Sequence, residues 1–378
     1  LYFVEKPARS IYGRGAIQIL NMILQSCMMS GRWNWTLWKG GMSFKAEDLA
    51  EIKKKRGALC LLALILIGAA AAALWSGRYP KLGWTRWRDL ADDPIAANLF
   101  WRLRFPRVVI ALLSGAVLSA GGLVCQTVFN NPLAGPDIVG VSQGAAIGAA
   151  TAIIFFPGSA AARQFAAFIG GGMGLILSLA IARRLRYGGW TLRFLLAGIT
   201  VSAFFTGALT VLKLMADGRN QLHAIEFWMM GAYCYVTANG FIPVVLLALA
   251  SLISVGLFRW RTNLFSLPDE SSSSLGAALA LERTLLISAA VVGISAVTSL
   301  SGIIGWVGLI IPHLARILFG ADSRYALPGS ILLGALITLF SDTAIRLFSP
   351  REIPVGFMTS LLCVLILWAA VLTRKIRF

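Results

Sequence analysis

Residues 102–149 read RLRFPRVVIALLSGAVLSAGGLVCQTVFNNPLAGPDIVGVSQGAAIGA. After Arg107 no charged residue occurs before Asp137, which is long enough for a helix to cross the roughly 30 Å hydrocarbon core of a bilayer. The run NPLAGP at 131–136 then stops the helix, because proline and glycine disfavour its continuation. This stretch predicts two membrane helices with a break between them. Such breaks at membrane depth are tolerated only where they are buried in protein or line a cavity.

The composition of the whole chain also indicates membrane helices. Of 378 residues, 58% are hydrophobic and 13% are charged, whereas an ordinary soluble domain has about 25% charged residues. The mean hydropathy of +0.77 therefore indicates an all-α polytopic membrane protein. The net charge of +18 comes from basic residues scattered between apolar runs, without a basic stripe that interleaves aromatic residues. That pattern excludes a nucleic-acid partner and indicates membrane lipid as the surroundings.

Ten segments are predicted to cross the membrane. An even number places both termini on one side, and the distribution of Lys and Arg makes that side the cytoplasm. The basic connection between the first two segments opposes this tendency, which suggests that something on the outer face requires its charges. The predicted segments are 57–76, 107–129, 137–156, 162–182, 192–215, 240–258, 284–303, 305–319, 327–348 and 354–373.

The chain divides, on this interpretation, into three parts. Residues 1–41 are rich in Trp and lack the features of a signal peptide, and Met42 opens a polar stretch. We therefore interpret 1–41 as an upstream extension that is not native, with an amphipathic surface segment as the alternative. Residues 42–56 form a cytoplasmic N-terminal segment, and 57–378 form the ten-helix transmembrane domain.

Several kinds of chemistry are missing from the sequence. There is no GxxxxGK[ST] phosphate loop, so this chain is not expected to hydrolyse a nucleotide. His223 and His313 lie outside HExxH and GxSxG contexts, and the five cysteines form no CxxC pair. We therefore expect no catalytic residue, no metal site and no bound cofactor.

Ionisable residues inside predicted spans are the usual sign of ion-coupled transport. Lys213 and Asp342 are the clearest candidates, and Glu226 lies in a predicted helix outside the membrane. Arg346 follows Asp342 by four residues, which places both on one helical face and favours structural pairing. An ion-coupled secondary transporter remains an alternative.

The longest predicted cytoplasmic connection, 259–283, reads RWRTNLFSLPDESSSSLGAALALER. Pro268, Asp269 and Glu270 are typical of a helix N-terminus. Leu275-Gly276 predicts a break before a second short helix. A flexible linker would leave several leucines exposed to water. We therefore expect a folded segment that docks a soluble partner.

The sequence resembles a known family, the permease subunits of type II ABC importers for iron siderophores, haem and cobalamin (FecCD-like, BtuC-like). The resemblance runs from about residue 56 to the C-terminus. Its motifs are the quoted stretch at 102–149, LLAGI at 195–199, FWMMGA at 227–232, SLSGIIGWVGLIIPHLARILFGADSR at 299–324 and EIPVG at 352–356.

The resemblance implies a homodimer of ten-helix subunits in the inner membrane of a prokaryote, with a substrate path along the two-fold axis. Two separate ATPase subunits would bind the ATP and Mg, which would account for the missing phosphate loop. They would receive the coupling loop 259–283, in which Ser271–Ser274 replace a basic residue of many relatives. The coupling positions are Leu267, Asp269, Glu270, Leu275 and Gly276.

The resemblance also implies docking of a periplasmic or lipid-anchored substrate-binding protein, through arginines that meet its carboxylates. The expected cargo is a ferric siderophore, then haem or cobalamin, with a molybdate or tungstate oxyanion as the alternative. The docking positions are Arg104, Arg107 and Arg346; hydroxyls that could face the translocation path are Thr200, Ser202, Thr206, Thr210, Thr359 and Ser360.

Overall fold

The computed structural model describes residues 46–79, 83–85, 87–236, 240–276, 278–349 and 352–372, without the side chains of 46–49 and 87–89. The predicted extension 1–41 lies outside these residues. The chain divides into the units 1–57 and 58–378, and the start of α1 is the described part of the first. The α-helices, in our numbering, are α1 Ala46–Trp75, α2 Trp87–Asp92, α3 Pro94–Leu99, α4 Phe105–Val128, α5 Val141–Phe155, α6 Ala160–Arg184, α7 Trp190–Met215, α8 Gln221–Met229, α9 Phe241–Leu257, α10 Arg259–Thr262, α11 Asp269–Ser274, α12 Leu279–Ser301, α13 Val307–Phe319, α14 Ser323–Phe348 and α15 Val355–Leu372.

Shorter elements complete the described fold. Two-residue strands β1, Ser76–Gly77, and β2, Gly83–Trp84, pair antiparallel after α1. A π-helical turn, Phe100–Arg104, continues α3 into α4. Two 3-10 turns, Pro136–Val139 and Asn263–Ser266, lie in the connections before α5 and before α11.

The described helices make the chain a multi-pass membrane protein. Seven are long and apolar enough to cross a bilayer, and α9 with the bent segment Arg259–Ser266 would make an eighth span. Helices α5 and α13 are apolar but shorter. Each of the ten predicted segments overlaps one of these helices, while the count of ten spans stays a prediction. Boundaries differ most at α1, which begins at Ala46 although the segment 57–76 was expected. Helix α12 begins at Leu279, before the expected start of the segment 284–303.

Helix α4 lies at the centre of the core. It is buried over nearly its whole length and contacts α9, α12, α13 and α14. A helix that is apolar on all sides is expected to be enclosed in this way. Its glycines allow close backbone approach, since a Cβ at Gly115 would meet the carbonyl of Gly334, and one at Gly122 would meet the carbonyl of Gly308. Small residues at such crossings are typical of membrane helix packing.

Substitution of Gly334 by Ala is expected to separate α4 from α14. The added methyl group would meet the carbonyl oxygen of Gly115 and the side chain of Ser119, so the helices must move apart. We expect a loss of about 1–3 kcal/mol in the free energy of unfolding, seen as a lower thermal midpoint in detergent. Gly256→Ala is the matched control, because that helical glycine of α9 has open space around it. Equal midpoints for the two variants would contradict this packing.

The predicted break after the first quoted helix is present. After α4 the chain turns at Asn130, whose φ is 47°, and the 3-10 turn then leads to Gly140, whose φ is 84°. Glycine is favoured there because it adopts a left-handed backbone without a Cβ clash. The turn packs on α7, since a Cβ at Gly198 would meet the carbonyl of Ile138. Residues 134–136, 139 and 140 of the break are buried against protein, whereas Pro132 and Leu133 are exposed.

Candidate functional site

The connection 259–276 is folded. Helix α10 and the 3-10 turn Asn263–Ser266 precede α11, and Phe265 is buried. The buried hydroxyl of Ser272 donates to the carbonyl of Leu264 at 2.7 Å, which ties α11 to the turn before it. A flexible linker would leave these groups to solvent. The expectation of a folded segment is therefore met in the described residues.

An ion pair fixes the start of α11 to α12. Arg283 donates from its two terminal nitrogens to the carboxylate of Asp269, at 3.1 and 2.6 Å. The Arg283 side chain is buried, and its guanidinium lies 5.4 Å from the ring centroid of Trp190 and 5.6 Å from that of Phe265. Both terminal nitrogens of the guanidinium bind both oxygens of the carboxylate. This bidentate geometry fixes the relative orientation of the two side chains as well as stabilising the ion pair.

The connection is also tied to the turn before α14. The amide of Asn263 donates to Asp322 at 2.8 Å and accepts from the backbone of Ser323 at 2.9 Å. Arg324 stacks on Trp260, with 3.7 Å from the guanidinium carbon to the ring centroid. In addition, Arg261 pairs with Glu282. These contacts join the connection to α12 and α14 as one structural element.

The five predicted coupling positions lie on this element. Leu267 is half-buried, Asp269 is held by Arg283, and Glu270, Leu275 and Gly276 are exposed. Leu275 is 43% exposed, and Gly276 has a φ of 80°, which gives the predicted break. The second short helix that we expected after the break is absent, because the next described helix is the long α12. The coupling role of the five residues stays a prediction.

Acidification is expected to loosen this connection. Hydrogen bonds from Arg283 lower the pKa of the Asp269 carboxyl below its ordinary value. The pair therefore stabilises the connection above the unfolded carboxyl pKa of about 4, and this contribution is lost as the pH falls through the lower folded value. Because the Asp269 side chain is 62% exposed, the effect is small, about 0–1 kcal/mol. Amide protection factors across 265–276, measured downward from pH 6, should fall in the wild type and change less in Asp269→Asn.

A second polar site is a cluster of four charged side chains, Arg107, Asp342, Arg346 and Glu352, hereafter the Asp342 cluster. The fully buried carboxylate of Asp342 accepts from Nε of Arg107 at 2.7 Å. Nε of Arg346 lies 3.1 Å from its other oxygen, close enough for an ion pair but without hydrogen-bond geometry. Arg107 also donates to both oxygens of Glu352, at 3.0 and 3.3 Å.

The Asp342 cluster joins separate parts of the fold. Arg107 is on α4, Asp342 and Arg346 are on α14, and Arg346 also donates to the carbonyl of Ala73 on α1 at 2.9 Å. The structural pairing expected for Asp342 and Arg346 is present. Sequence reasoning missed Arg107 and Glu352 as further members, because residues so distant along the chain carry no local spacing signal.

The predicted docking arginines are engaged within the chain. Arg107 and Arg346 belong to the Asp342 cluster, with side chains 12% and 13% exposed. Arg104 donates to the hydroxyl of Thr85 and the carbonyl of Tyr79, both at 2.7 Å. Arg78 and Arg102 nearby are exposed. Docking by the three predicted arginines stays a prediction.

Lys213 and Glu226 form an ion pair at 2.9 Å that links α7 to α8. Both were considered as ion-coupling groups. In the structure each has the other as its partner, and Asp342 has two arginines. These contacts give all three residues a structural role.

The predicted path hydroxyls divide between surface and core. On α7, Thr200, Thr206 and Thr210 are exposed, and each donates to the carbonyl four residues earlier at 2.8–2.9 Å. Ser202 is half-buried and contacts the backbone of Asp137 at 3.5 Å. On α15, Ser360 is half-buried, whereas Thr359 is fully buried and lies on no surface of this chain. Their role in a path stays a prediction.

No group of three or more His, Cys, Asp or Glu residues able to hold a metal ion occurs in the part of the chain that the structure describes. The described cysteines, Cys60, Cys125, Cys234 and Cys363, are free thiols, and Cys27 lies outside the described residues.

A multi-pass helical bundle with a folded, exposed connection is the architecture of a membrane transport permease. The model of the FecCD transport family matches residues 58–373, and the chain belongs to that family. The predicted family resemblance is thereby confirmed.

Curated relatives and a solved structure agree with this assignment. The chain is 35% identical to the molybdate import system permease protein MolB of Haemophilus influenzae, over 80% of this chain and 91% of the relative. It is 36% identical to the hemin transport system permease protein HmuU of Yersinia pestis, over 80% and 90%. An inward-facing structure described as a metal-chelate type ABC transporter superposes with a TM-score of 0.77 at 32% identity, covering 85% of this chain and 100% of that one.

Proposed function

We propose that this chain is the permease subunit of a binding-protein-dependent ABC importer that moves a metal chelate across the inner membrane. A ferric siderophore is the first candidate cargo, with haem or cobalamin next. The working unit is a homodimer of ten-span subunits with both termini in the cytoplasm. Two ATPase subunits bind ATP and Mg, and a substrate-binding protein delivers the cargo.

The observation that carries this proposal is the folded connection 259–276 on a chain of the FecCD transport family. Its short helix α11 is held by Asp269 and Arg283, while Leu275 stays exposed at its end. An apolar side chain held in place by a rigid, polar frame fits a pocket on a soluble partner. Because the frame is continuous with α12 and α14, movement of a bound ATPase would reach the membrane helices.

A metal chelate is favoured over an oxyanion by the structural neighbour and by the hemin relative, although the molybdate relative keeps the oxyanion as the second candidate. An ion-coupled secondary transporter is disfavoured. The ionisable residues that would support it are engaged in ion pairs, Lys213 with Glu226 and Asp342 with two arginines.

Reconstituted transport tests the proposal. Proteoliposomes that hold this chain with its ATPase would receive the binding protein loaded with ferric siderophore, haem, cobalamin or molybdate. ATP-dependent uptake of a chelate is the expected result. Uptake of molybdate alone would assign the second candidate, and uptake driven by an ion gradient without the ATPase would contradict the importer.

Docking of the binding protein is tested separately with Arg104, which hydrogen-bonds the hydroxyl of Thr85 and the carbonyl of Tyr79 and has no carboxylate partner among the described residues. Arg104→Gln is expected to slow association and to reduce its salt dependence, because an exposed charge pair acts mainly on the association rate. Reversal at Arg107 or Arg346 would also disturb the Asp342 cluster, so Arg104 gives the cleaner measurement. An unchanged salt dependence would contradict docking through this residue.

A further inference from the structure

An apolar groove of about 470 Å³ lies between α1, α14 and α15. Ala72 of α1, Leu336 and Phe340 of α14, and Leu362 and Ile366 of α15 lie along it. All three helices are long and apolar enough to cross a membrane. Ala72 and Phe340 are exposed, so the groove opens on the surface of the bundle. In a bilayer its surroundings are therefore lipid chains or another protein.

The length of the groove matches one leaflet. Along α14 its lining extends from Leu336 to Leu347. At 1.5 Å per residue this is about 16 Å, and the hydrocarbon core of a bilayer is about 30 Å thick. The groove thus begins near the middle of the membrane and ends at one surface. A single acyl chain of a phospholipid has the same extent.

Polar and charged groups mark the surface end of the groove. Ser76 and Trp84 line it there, and Trp84 is 64% exposed. Tryptophan is enriched at membrane–water interfaces. Exposed Arg78 donates to the carbonyl of Leu347, a lining residue, at 3.2 Å. No carboxylate among the described residues forms an ion pair with Arg78, so its remaining N–H groups can meet a phosphate, which guanidinium binds well.

We propose that this groove binds an acyl chain of an anionic phospholipid whose phosphate lies on Arg78. The bound lipid fills the space between α1 and the bundle. Helix α1 has few protein contacts to hold it, since its buried cluster consists of Ala73 with Val108 and Leu339 and a few partly buried neighbours. The lipid therefore packs between α1 and the helices α14 and α15 and helps to hold α1 against them. The proposal is independent of the transported cargo.

Photo-cross-linking tests the site. The full chain would be reconstituted in nanodiscs with phosphatidylglycerol that carries a photoactivatable group at the end of one acyl chain. Because the photoactivatable group lies at the end of the acyl chain, we expect cross-links concentrated at the mid-membrane end of the groove, on 336–340 and Ile366. They should be more numerous than with the matching phosphatidylcholine. Arg78→Gln should reduce the phosphatidylglycerol cross-links about tenfold, the fold-change of one lost charge-assisted contact. Arg102→Gln, also exposed, is the matched control and should change little.

A second pair of variants tests the groove itself. Ala72→Phe would fill it from the exposed face of α1, whereas Ala71→Phe adds the same ring at an exposed position that does not line it. The first variant should lose the cross-links and the second should keep them. Cross-links spread evenly over lipid-facing helices such as α6, or equal loss for both arginine variants, would overturn the proposal. So would a change of oligomeric state in Ala72→Phe, which would place a second copy of the chain in the groove.

Discussion

Replacement of Asp342 by Ala is expected to destabilise the folded chain by about 3–5 kcal/mol, because removal of one partner leaves buried charges without compensation. Arg107 and Arg346 would both lose their shared carboxylate, and their side chains are only 12% and 13% exposed. The ion pair between α4 and α14 would then be replaced by repulsion between two cations, while the close packing of the two helices at Gly115 and Gly334 remains. A fall in the thermal midpoint of the purified chain in detergent measures this effect.

Two further variants separate charge from packing. Glu352→Gln removes a charge that is 50% exposed, and we expect a loss of no more than about 1 kcal/mol. Asp342→Asn keeps the size of the side chain and removes only its charge, so it should be nearly as unstable as Asp342→Ala. If Asp342→Asn had the wild-type midpoint, the charge of Asp342 would not be the stabilising feature.

Replacement of Leu275 by Asp is expected to reduce coupled transport strongly while the chain still folds. Leu275 is 43% exposed, so its loss has little effect on the core. If it enters an apolar pocket of the ATPase, a buried charge there would weaken association by about 2 kcal/mol or more, roughly thirtyfold. Stimulated ATPase activity and uptake, measured in the same proteoliposomes, should both fall.

Tyr187→Asp is the control for this variant. Tyr187 is 91% exposed and lies in the connection between α6 and α7, which is predicted to face the same side. Tyr187→Asp adds the same charge at an exposed position outside the connection 259–276. Normal uptake by Leu275→Asp, or an equal loss in Tyr187→Asp, would contradict a specific coupling role for Leu275.

The sequence predicted the membrane helices because each depends on a local property, the length of an apolar run. The break at NPLAGP and the turn at Leu275-Gly276 were predictable for the same reason, since proline and glycine act on their own backbone. The short helix at Asp269 was also predicted from its N-terminal residues. The prediction of a second short helix after Gly276 was wrong. The long helix α12 already begins at Leu279, and tertiary packing overrides the weak local signal for a separate helix.

What the sequence by itself determined is therefore the class of protein, its helices and its family, all of which follow from apolar runs and contiguous motifs. The tertiary structure alone decided which charges meet. Arg107 and Asp342 are 235 positions apart, and Asn263 reaches Asp322 across 59. Ion pairs and grooves depend on distances in space, and those distances are set by how helices pack. Arg104 and Arg107 have the same residue type and nearly the same position in the sequence. Arg104 nevertheless hydrogen-bonds a hydroxyl and a carbonyl, whereas Arg107 binds the buried carboxylate of Asp342 on α14, because the packing of the helices sets which groups each side chain meets.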